Sequence, residues 1–448
     1  MSDGNKTLTV TPGSPLRGEY CLPGDKSLSH RAALFAALAQ GQSRIDHFLV
    51  AGVTQTMLEA LRDLGVAWRQ EGERLFVEGK GWQGLKPPLR PLNCGNSATT
   101  LRLLVGALAA TGTPAVLDGG PGLRKRPMDR IVEPLQQMGV VLSAEGGCAP
   151  LSLVVSRWPL KPLDYTLPVA SAQVKSCLLL AALAVKGTST LREPGPSRDH
   201  TERMLRSMGA AVESEQLSID GGFQYVTRLT PPKPLLLKPL DFAVPGDISS
   251  AAFLIVAALI TPGSEIHLRN VGLNPTRTGL LDVLADMGAE ITIEPHGDQQ
   301  GEPVGDLTVR SSVLHGTQVS GPLVVRMIDE FPAFAVAAAF AQGLTEVSQA
   351  EELRLKESDR ISMLCRELAS LGVQVSEAPD GFTIQGGVLP QGGQVDAHSD
   401  HRLAMSLALV GLAGQGLVTV RGAEMIAESF PEFIEVLRGF GARLESQK

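Results

Sequence analysis

One short pattern recurs six times along the chain, and it limits the folds open to it. The pattern is a Leu/Met-rich helix end, a glycine, then a β-type run. It appears as Leu61-Arg-Asp-Leu-Gly65-Val66, Leu135-Gln-Gln-Met-Gly139-Val140 and Leu205-Arg-Ser-Met-Gly209-Ala210, and again as Leu284-Ala-Asp-Met-Gly288-Ala289, Leu368-Ala-Ser-Leu-Gly372-Val373 and Leu437-Arg-Gly-Phe-Gly441-Ala442. Successive glycines are 74, 70, 79, 84 and 69 residues apart. Glycine just past the last helical turn is the usual left-handed cap. A second helix, Ala/Leu-rich almost all round, keeps the same step and ends near Gly41, Gly112, Gly187, Gly263, Gly343 and about Gly416. A helix apolar on every side is buried on most of them. Each unit therefore reads as buried helix, strand, amphipathic helix, strand or strand pair. This period exceeds that of solenoid repeats, so the units are expected to group into two larger α/β domains of three units each.

The junction between the domains is expected at residues 230–245, with five prolines in 16 residues, because proline favours extended chain. Pro23-Gly24-Asp25 reappears after it as Pro245-Gly246-Asp247. The expected domains are residues 23–241 and residues 1–22 plus 242–448, with an N-terminal strand at about residues 5–22 pairing into the second half.

Composition excludes other classes. Hydrophobic residues make up 43% and charged residues 19% of the 448, enough apolar material for large cores and too much for a disordered chain. The formal charge of −7 argues against duplex DNA as a partner, while leaving room for a local basic cleft. The five cysteines are dispersed, with no CxxC pair, as in a reduced cytosolic protein without a zinc module. The polar N-terminus lacks a secretory signal, and the apolar run 251–260 is about half a membrane span. A cytoplasmic protein, without membrane or nucleic-acid partners, is expected.

The buried helices share small polar or charged residues in their first turns: Asp25-Lys26-Ser27, Gly95-Asn96-Ser97, Ser171-Ala172-Gln173, Asp247-Ile248-Ser249-Ser250, Asp329-Glu330 and Asp400-His401-Arg402. Ser and Asp there are ordinary caps. Capping does not explain the cations in the same turns. A helix start with Lys26, Ser27 and Arg31 suits phosphate or carboxylate, since free N–H groups and the dipole favour anions. Asp118 to Pro127, a glycine-rich turn running into Arg124-Lys125-Arg126, reads as a loop that closes on an anion or as a solvated charge run. Arg354-x-Lys356-Glu357-Ser-Asp359-Arg360 reads as a salt-bridged helix or as an acid/base carboxylate among anion-holding cations. Asp329-Glu330 reads as a cap or a base. There is no GxGxxG, Walker A or GxSxG signature. His398-x-x-His401 lacks a metal-binding partner set and reads as structural.

Taken together, the chain resembles the enolpyruvyl transferase family, and within it the branch acting on shikimate 3-phosphate. The resemblance covers essentially the whole chain. It rests on Pro23-Gly-Asp-Lys-Ser-Leu-Ser-His-Arg31, Gly95-Asn-Ser-Ala-Thr-Thr-Leu-Arg102, Arg126-Pro-Met128, Ser171-Ala-Gln-Val-Lys175, Arg198-Asp-His-Thr201, Ile328-Asp-Glu-Phe-Pro332, Lys356-Glu-Ser-Asp-Arg360, Asp400-His-Arg402 and Ser429-Phe-Pro431. It implies a two-domain inside-out α/β barrel with six βαβαββ repeats, three per domain, and an active-site cleft between the domains. The implied reaction moves the enolpyruvyl group of phosphoenolpyruvate to the 5-hydroxyl of shikimate 3-phosphate through a tetrahedral intermediate, without metal or redox cofactor, in a monomer.

By the same resemblance, Lys26, Ser27, Arg31, Ser171, Ala172, Gln173, Arg198, Asp329 and Lys356 bind shikimate 3-phosphate. Lys26, Ala98, Thr99, Arg126, Gln173, Arg360 and Arg402 bind phosphoenolpyruvate. Asp329 is the implied base for the 5-hydroxyl, Glu357 moves the proton at the methylene carbon, Lys26 assists, and Asp400 and His401 support the site. Two positions depart from the family pattern. Glu428 stands where many members have a lysine before the Ser/Thr-Phe-Pro motif. Ala98-Thr99 replaces the usual Gly-Thr pair, and the extra methyl implies tolerance of glyphosate, a longer ligand than phosphoenolpyruvate. The rival within the family uses UDP-N-acetylglucosamine and carries a loop cysteine before Arg-Pro; residues 119–127 hold none. RNA 3′-phosphate cyclase shares the repeats, but a nucleotidyl-accepting histidine motif is missing. A noncatalytic phospho-metabolite binder would not need Asp329 and Glu357.

Overall fold

The computed structural model describes residues 6–154, 159–220, 222–234 and 236–447; residue 5 of the expected N-terminal strand and Leu235 of the proline-rich stretch lie outside them. The chain forms two compact units. One comprises residues up to Pro23, Pro245–Gly297 and Pro303 onward; the other comprises Gly24–Val244 and Asp298–Glu302.

Both units are built from the same piece, a four-stranded sheet, and the described residues form six of them. In the Gly24–Val244 unit the clearest example is Leu92–Asn93, Ala115–Asp118, Cys148–Val154 and Val141–Glu145, adjacent in that order. The first pair is parallel, with Leu92 opposite Leu117. The others are antiparallel, with Ala115 opposite Leu153 and Val141 opposite Val154. A parallel pair needs a crossover, and here it is the buried helix Ala98–Thr111. The amphipathic helix Asp129–Gln137 then leads to the hairpin. This is the strand–helix–strand–helix–strand–strand unit that the sequence period implied. The six repeated glycines all adopt φ between 79° and 102°, a region open to glycine at little cost.

The sheets also correct the linear reading. The N-terminal segment is two strands, Thr7–Thr11 and Arg17–Cys21, split where Pro12 and Pro15 withhold ladder donors and Gly13 turns the chain through a positive φ. Thr7–Thr11 lies between Val418–Arg421 and Arg443–Gln447 and completes the sixth sheet. Arg17–Cys21 runs parallel to Glu265–Gly272, while Asp241–Ala243, inside the proline-rich stretch, runs parallel to Gln40–Asp46. The leading strands of two repeats are thus exchanged. The apolar helices also end earlier than their glycines suggested. Gly112 is itself a left-handed cap, but the others stop at Ala39, Leu183, Thr261, Ala341 and Gly414, where the backbone turns toward the next strand.

Burial follows composition. Every residue of Ile248–Ile260 is buried, as is every residue from Leu28 to Leu38. Small side chains let such helices come close. A Cβ on Gly106 would lie 2.3 Å from the carbonyl oxygen of Cys177, so Ala98–Thr111 and Ala172–Ala182 touch nearly backbone to backbone. No described helix is long and apolar enough to cross a membrane.

Candidate active site

Five of the six buried helices begin with the cap their sequences promised. Asp25, Ser97, Ser171, Asp247 and Asp400 accept from the backbone N–H of Leu28, Thr100, Val174, Ser249 and Arg402. Capping and function are therefore not alternatives here; the caps build the helix ends on which the cations sit. Before Phe331–Phe340 stands Glu330, which makes no such cap. Its buried carboxylate accepts from Ser249 Oγ instead, and Ser249 Oγ accepts from Arg277 at 2.8 Å.

In the Gly24–Val244 unit, Arg31 is 2% exposed. Its guanidinium donates to Thr201 Oγ1 at 2.8 Å, Ser176 Oγ at 2.8 Å and the Ser27 carbonyl at 3.0 Å. Burial pushes its pKa down to about 10, with Glu202 opposing, so it stays charged at neutral pH. Arg198 reaches Ser27 Oγ at 3.5 Å, and Ser176 Oγ donates to the Ala172 carbonyl at 2.6 Å. Lys26, Ser27 and Arg198 are partly buried. The ring of His30 holds the Lys26 carbonyl at 2.8 Å; burial lowers the His30 pKa to about 4, so the ring is neutral. Beneath lies a buried triad, Lys175 with Glu193 at 2.6 Å and Glu202 at 2.8 Å. Burial alone would lower the Lys175 pKa, but the two carboxylates raise it. His200, 2.8 Å from Glu302 and buried with it, anchors the start of His200–Ser207.

The same unit gathers Thr99, Gln173 and the Arg126 turn. Gln173 Nε2 donates to Thr99 Oγ1 at 2.8 Å. Arg102 donates to Gln173 Oε1 at 2.6 Å and to the Pro127 carbonyl at 2.8 Å. The expected loop at 118–127 contains a short 3-10 helix, Leu123–Lys125, and Arg124 pairs with Asp118 at 2.5 Å; Arg126 is partly buried and follows it. Ala98 is 1% exposed and is the first residue of Ala98–Thr111.

In the other unit, Arg360 is the hub. It is 1% exposed and meets Asp400 at 2.8 Å, Glu357 at 2.6 Å and Asp329 at 3.4 Å. Burial would depress its pKa, but these carboxylates raise it. Asp400, wholly buried, would be raised by burial yet is held low by Arg360. It also accepts from Ser358 Oγ at 3.1 Å and from the Arg402 N–H at 2.9 Å. Arg402 Nη1 donates to the Asp329 carbonyl at 2.9 Å. Asp329, at 19% side-chain exposure, and Glu357, at 30%, are thus accessible carboxylates fixed against buried cations. Lys356 is partly buried beside Glu357. Arg354 pairs with Asp359 and Glu377, so the salt-bridged alternative is realised for that residue as well as for the Glu357–Arg360 pair. Glu428 ends the 3-10 helix Ala423–Glu428.

The sequence-predicted residues therefore fall into two sets. Lys26, Ser27, Arg31, Ala98, Thr99, Arg126, Ser171, Ala172, Gln173 and Arg198 belong to one unit, and Asp329, Lys356, Glu357, Arg360 and Arg402 to the other. Residue-level reading passed over Arg102 and Lys175. Their signal was present: each is the one charged residue in a largely buried, otherwise uncharged helix, where a cation is stable only with partners. His398 donates to or accepts from Glu367 at 2.8 Å, and the described residues contain no cluster of three metal-ligating side chains.

Comparison with known proteins gives concordant findings. The family model described as EPSP synthase (3-phosphoshikimate 1-carboxyvinyltransferase) matches residues 10–437. A 3-phosphoshikimate 1-carboxyvinyltransferase of Synechococcus sp. (strain JA-3-3Ab) is 46% identical over 437 residues, 96% of each chain. One from Citrifermentans bemidjiense is 45% identical, covering 97% of this chain and 99% of its own. A solved EPSP synthase from Acinetobacter baumannii is similar with a TM-score of 0.86 at 40% identity, covering 99% of this chain and 100% of that one.

Proposed function

The chain belongs to the EPSP synthase (3-phosphoshikimate 1-carboxyvinyltransferase) family, and we infer from that membership how its two residue sets divide the work. The reaction transfers the enolpyruvyl group of phosphoenolpyruvate to the 5-hydroxyl of shikimate 3-phosphate, releasing phosphate, in the shikimate pathway. In our reading Ser27, Arg31, Ser171, Ala172, Gln173, Arg198, Asp329 and Lys356 hold shikimate 3-phosphate. Lys26, Ala98, Thr99, Arg126, Gln173, Arg360 and Arg402 hold phosphoenolpyruvate. Arg31 acts largely by fixing Ser27 and the Ala172 turn, since its donors already reach Thr201, Ser176 and the Ser27 carbonyl.

The observation that carries the catalytic reading is the Arg360 hub. Two carboxylates of limited exposure, Asp329 and Glu357, are held by one buried guanidinium, and Asp400 keeps that guanidinium charged and oriented. Asp329 takes the proton of the attacking 5-hydroxyl. Glu357 delivers a proton to the methylene carbon as the tetrahedral ketal forms, then removes one from the resulting methyl group as phosphate leaves. Lys26 assists the proton traffic. Cations already fixed in place stabilise developing charge without reorganising during the reaction.

Five free cysteines support a cytoplasmic setting. We take the enzyme to be monomeric, with glyphosate a weak competitor because of Ala98. The test is phosphate release from phosphoenolpyruvate with shikimate 3-phosphate or UDP-N-acetylglucosamine as acceptor, with and without glyphosate. Release only with shikimate 3-phosphate, persisting under glyphosate, is expected. Asp329→Asn and Glu357→Gln should each lower turnover by about 100-fold or more while calorimetry still detects shikimate 3-phosphate. Full turnover in both variants would overturn the acid/base assignment.

A further inference from the structure

We propose that Arg102 is a positioning residue that decides which end of the Gln173 amide faces the substrates. The proposal rests on the reading of Gln173 as a substrate contact. Arg102 is 9% exposed and lies one turn into Ala98–Thr111, where every other residue is uncharged. A guanidinium carries only donors, so whichever end of the Gln173 amide meets it must be the oxygen. That oxygen accepts at 2.6 Å, a short, charge-assisted contact. The nitrogen end is thereby turned to Thr99 Oγ1 at 2.8 Å. An amide can rotate by half a turn with little change in shape, and Arg102 makes one of those two states strongly preferred. The state it selects presents N–H groups at a place assigned to bind anions.

Arg102 also donates to the Pro127 carbonyl at 2.8 Å, immediately after Arg126. Its rigid planar fork therefore ties together the segments that carry Thr99, Gln173 and Arg126. The helix contact below sets the reach. Gly106 follows Arg102 by one turn, and Cys177 follows Gln173 by one turn. The backbone contact between Gly106 and Cys177 brings the two side chains within hydrogen-bond range. A lysine at 102 would bring three donors on one ammonium nitrogen but not the rigid planar fork that fixes their directions, so it would hold the two acceptors less firmly.

The test is a double-mutant cycle on the full-length enzyme, reading KM for phosphoenolpyruvate by phosphate release, with melting temperatures as a check of folding. Arg102→Met and Gln173→Ala should each raise KM by about tenfold, the order expected for a lost hydrogen bond to charge. If Arg102 acts through Gln173, the double variant should exceed Gln173→Ala by no more than about threefold, since coupled residues are non-additive; that remainder is the share of the Pro127 carbonyl. Multiplication of the two single effects would overturn the proposal, because a merely structural role adds independently. A wild-type KM in Gln173→Ala would remove Gln173 as a substrate contact, and with it both readings. If Arg102→Met does not fold, Arg102→Lys goes through the same cycle, with a smaller single effect expected and the same non-additivity required.

Discussion

Replacing Gly106 by alanine should cost this enzyme activity as well as stability. The added Cβ would sit 2.3 Å from Cys177 O and 2.9 Å from the Cys177 carbonyl carbon and Cα. These are backbone atoms inside a buried helix, so no side chain can swing away. Ordinary contact requires the two helices to part by about 1 Å, and overpacking of this kind costs roughly 1–3 kcal/mol. In a unit of this size that lowers the melting temperature by about 3–10 °C, leaving the enzyme folded at assay temperature. The same displacement acts one turn up, where the Arg102–Gln173 bond is 2.6 Å. Lengthened by about 1 Å it falls outside hydrogen-bond range. The Gln173 amide is then released, and KM for phosphoenolpyruvate should rise by about tenfold. Scanning calorimetry and the phosphate-release assay would read both effects. A Gly106→Ala variant with wild-type melting temperature and wild-type KM would refute the close-packing argument. A lower melting temperature with unchanged KM would refute the link from packing to the site.

Lys175→Met leaves Glu193 and Glu202 buried without their cation and should destabilise the enzyme by about 3–5 kcal/mol; thermal unfolding would show it, and neutralising both glutamates as well should recover most of the loss. His30 titrates at about 4 when folded against the ordinary 6.5, so the unfolded chain takes up the proton first on acidification. Its contribution is complete above pH 6.5 and lost as pH falls toward 4. It is worth up to roughly 3 kcal/mol, and His30→Gln should flatten the stability profile in that window. Ala98→Gly should lower the glyphosate inhibition constant by more than it lowers KM for phosphoenolpyruvate; an unchanged inhibition constant would sink the steric account.

What the sequence revealed and what it hid follow from the range of the interactions involved. The repeat was legible because each glycine past an amphipathic helix must adopt a positive φ, a local demand that leaves a local mark. The caps were legible for the same reason: Asp25, Ser97, Ser171, Asp247 and Asp400 act within three residues of themselves. The pairing of the N-terminal segment into the second half was legible, but the reciprocal pairing of Asp241–Ala243 with Gln40–Asp46 was not, because an edge strand of suitable length can pair with more than one neighbour. The roles of Arg102 and Lys175 were hidden likewise. Their partners lie at 173, 127, 193 and 202, and only the folded chain brings these together. Glu330 looked like a cap or base by position, yet its carboxylate is turned to Ser249 Oγ, which donates to it while itself accepting from Arg277.

An acidic chain can thus build sites for anions by using its acids inside the molecule. Arg360 meets three carboxylates, Lys175 meets two, and Arg277 meets Asp247 at 3.2 Å. Each pairing holds a long, flexible cation in one rotamer. The entropy of fixing it, on the order of 2 kcal/mol per side chain, is met during folding rather than at substrate binding. Two of the three carboxylates on Arg360 remain partly exposed, which suits them to exchange protons with a substrate, while the wholly buried Asp400 does not. The burial difference around one guanidinium therefore separates the reacting carboxylates from the supporting one. Asp400→Asn should then test the distinction. It keeps the helix cap and removes the charge, so KM should rise as Arg360 loses its orientation. Asp400 also bears electrostatically on Glu357, so the pH profile of turnover should shift along the axis yet keep both limbs, set by Asp329 and Glu357. Loss of a limb in that variant would place Asp400 among the reacting groups and remove burial as the criterion.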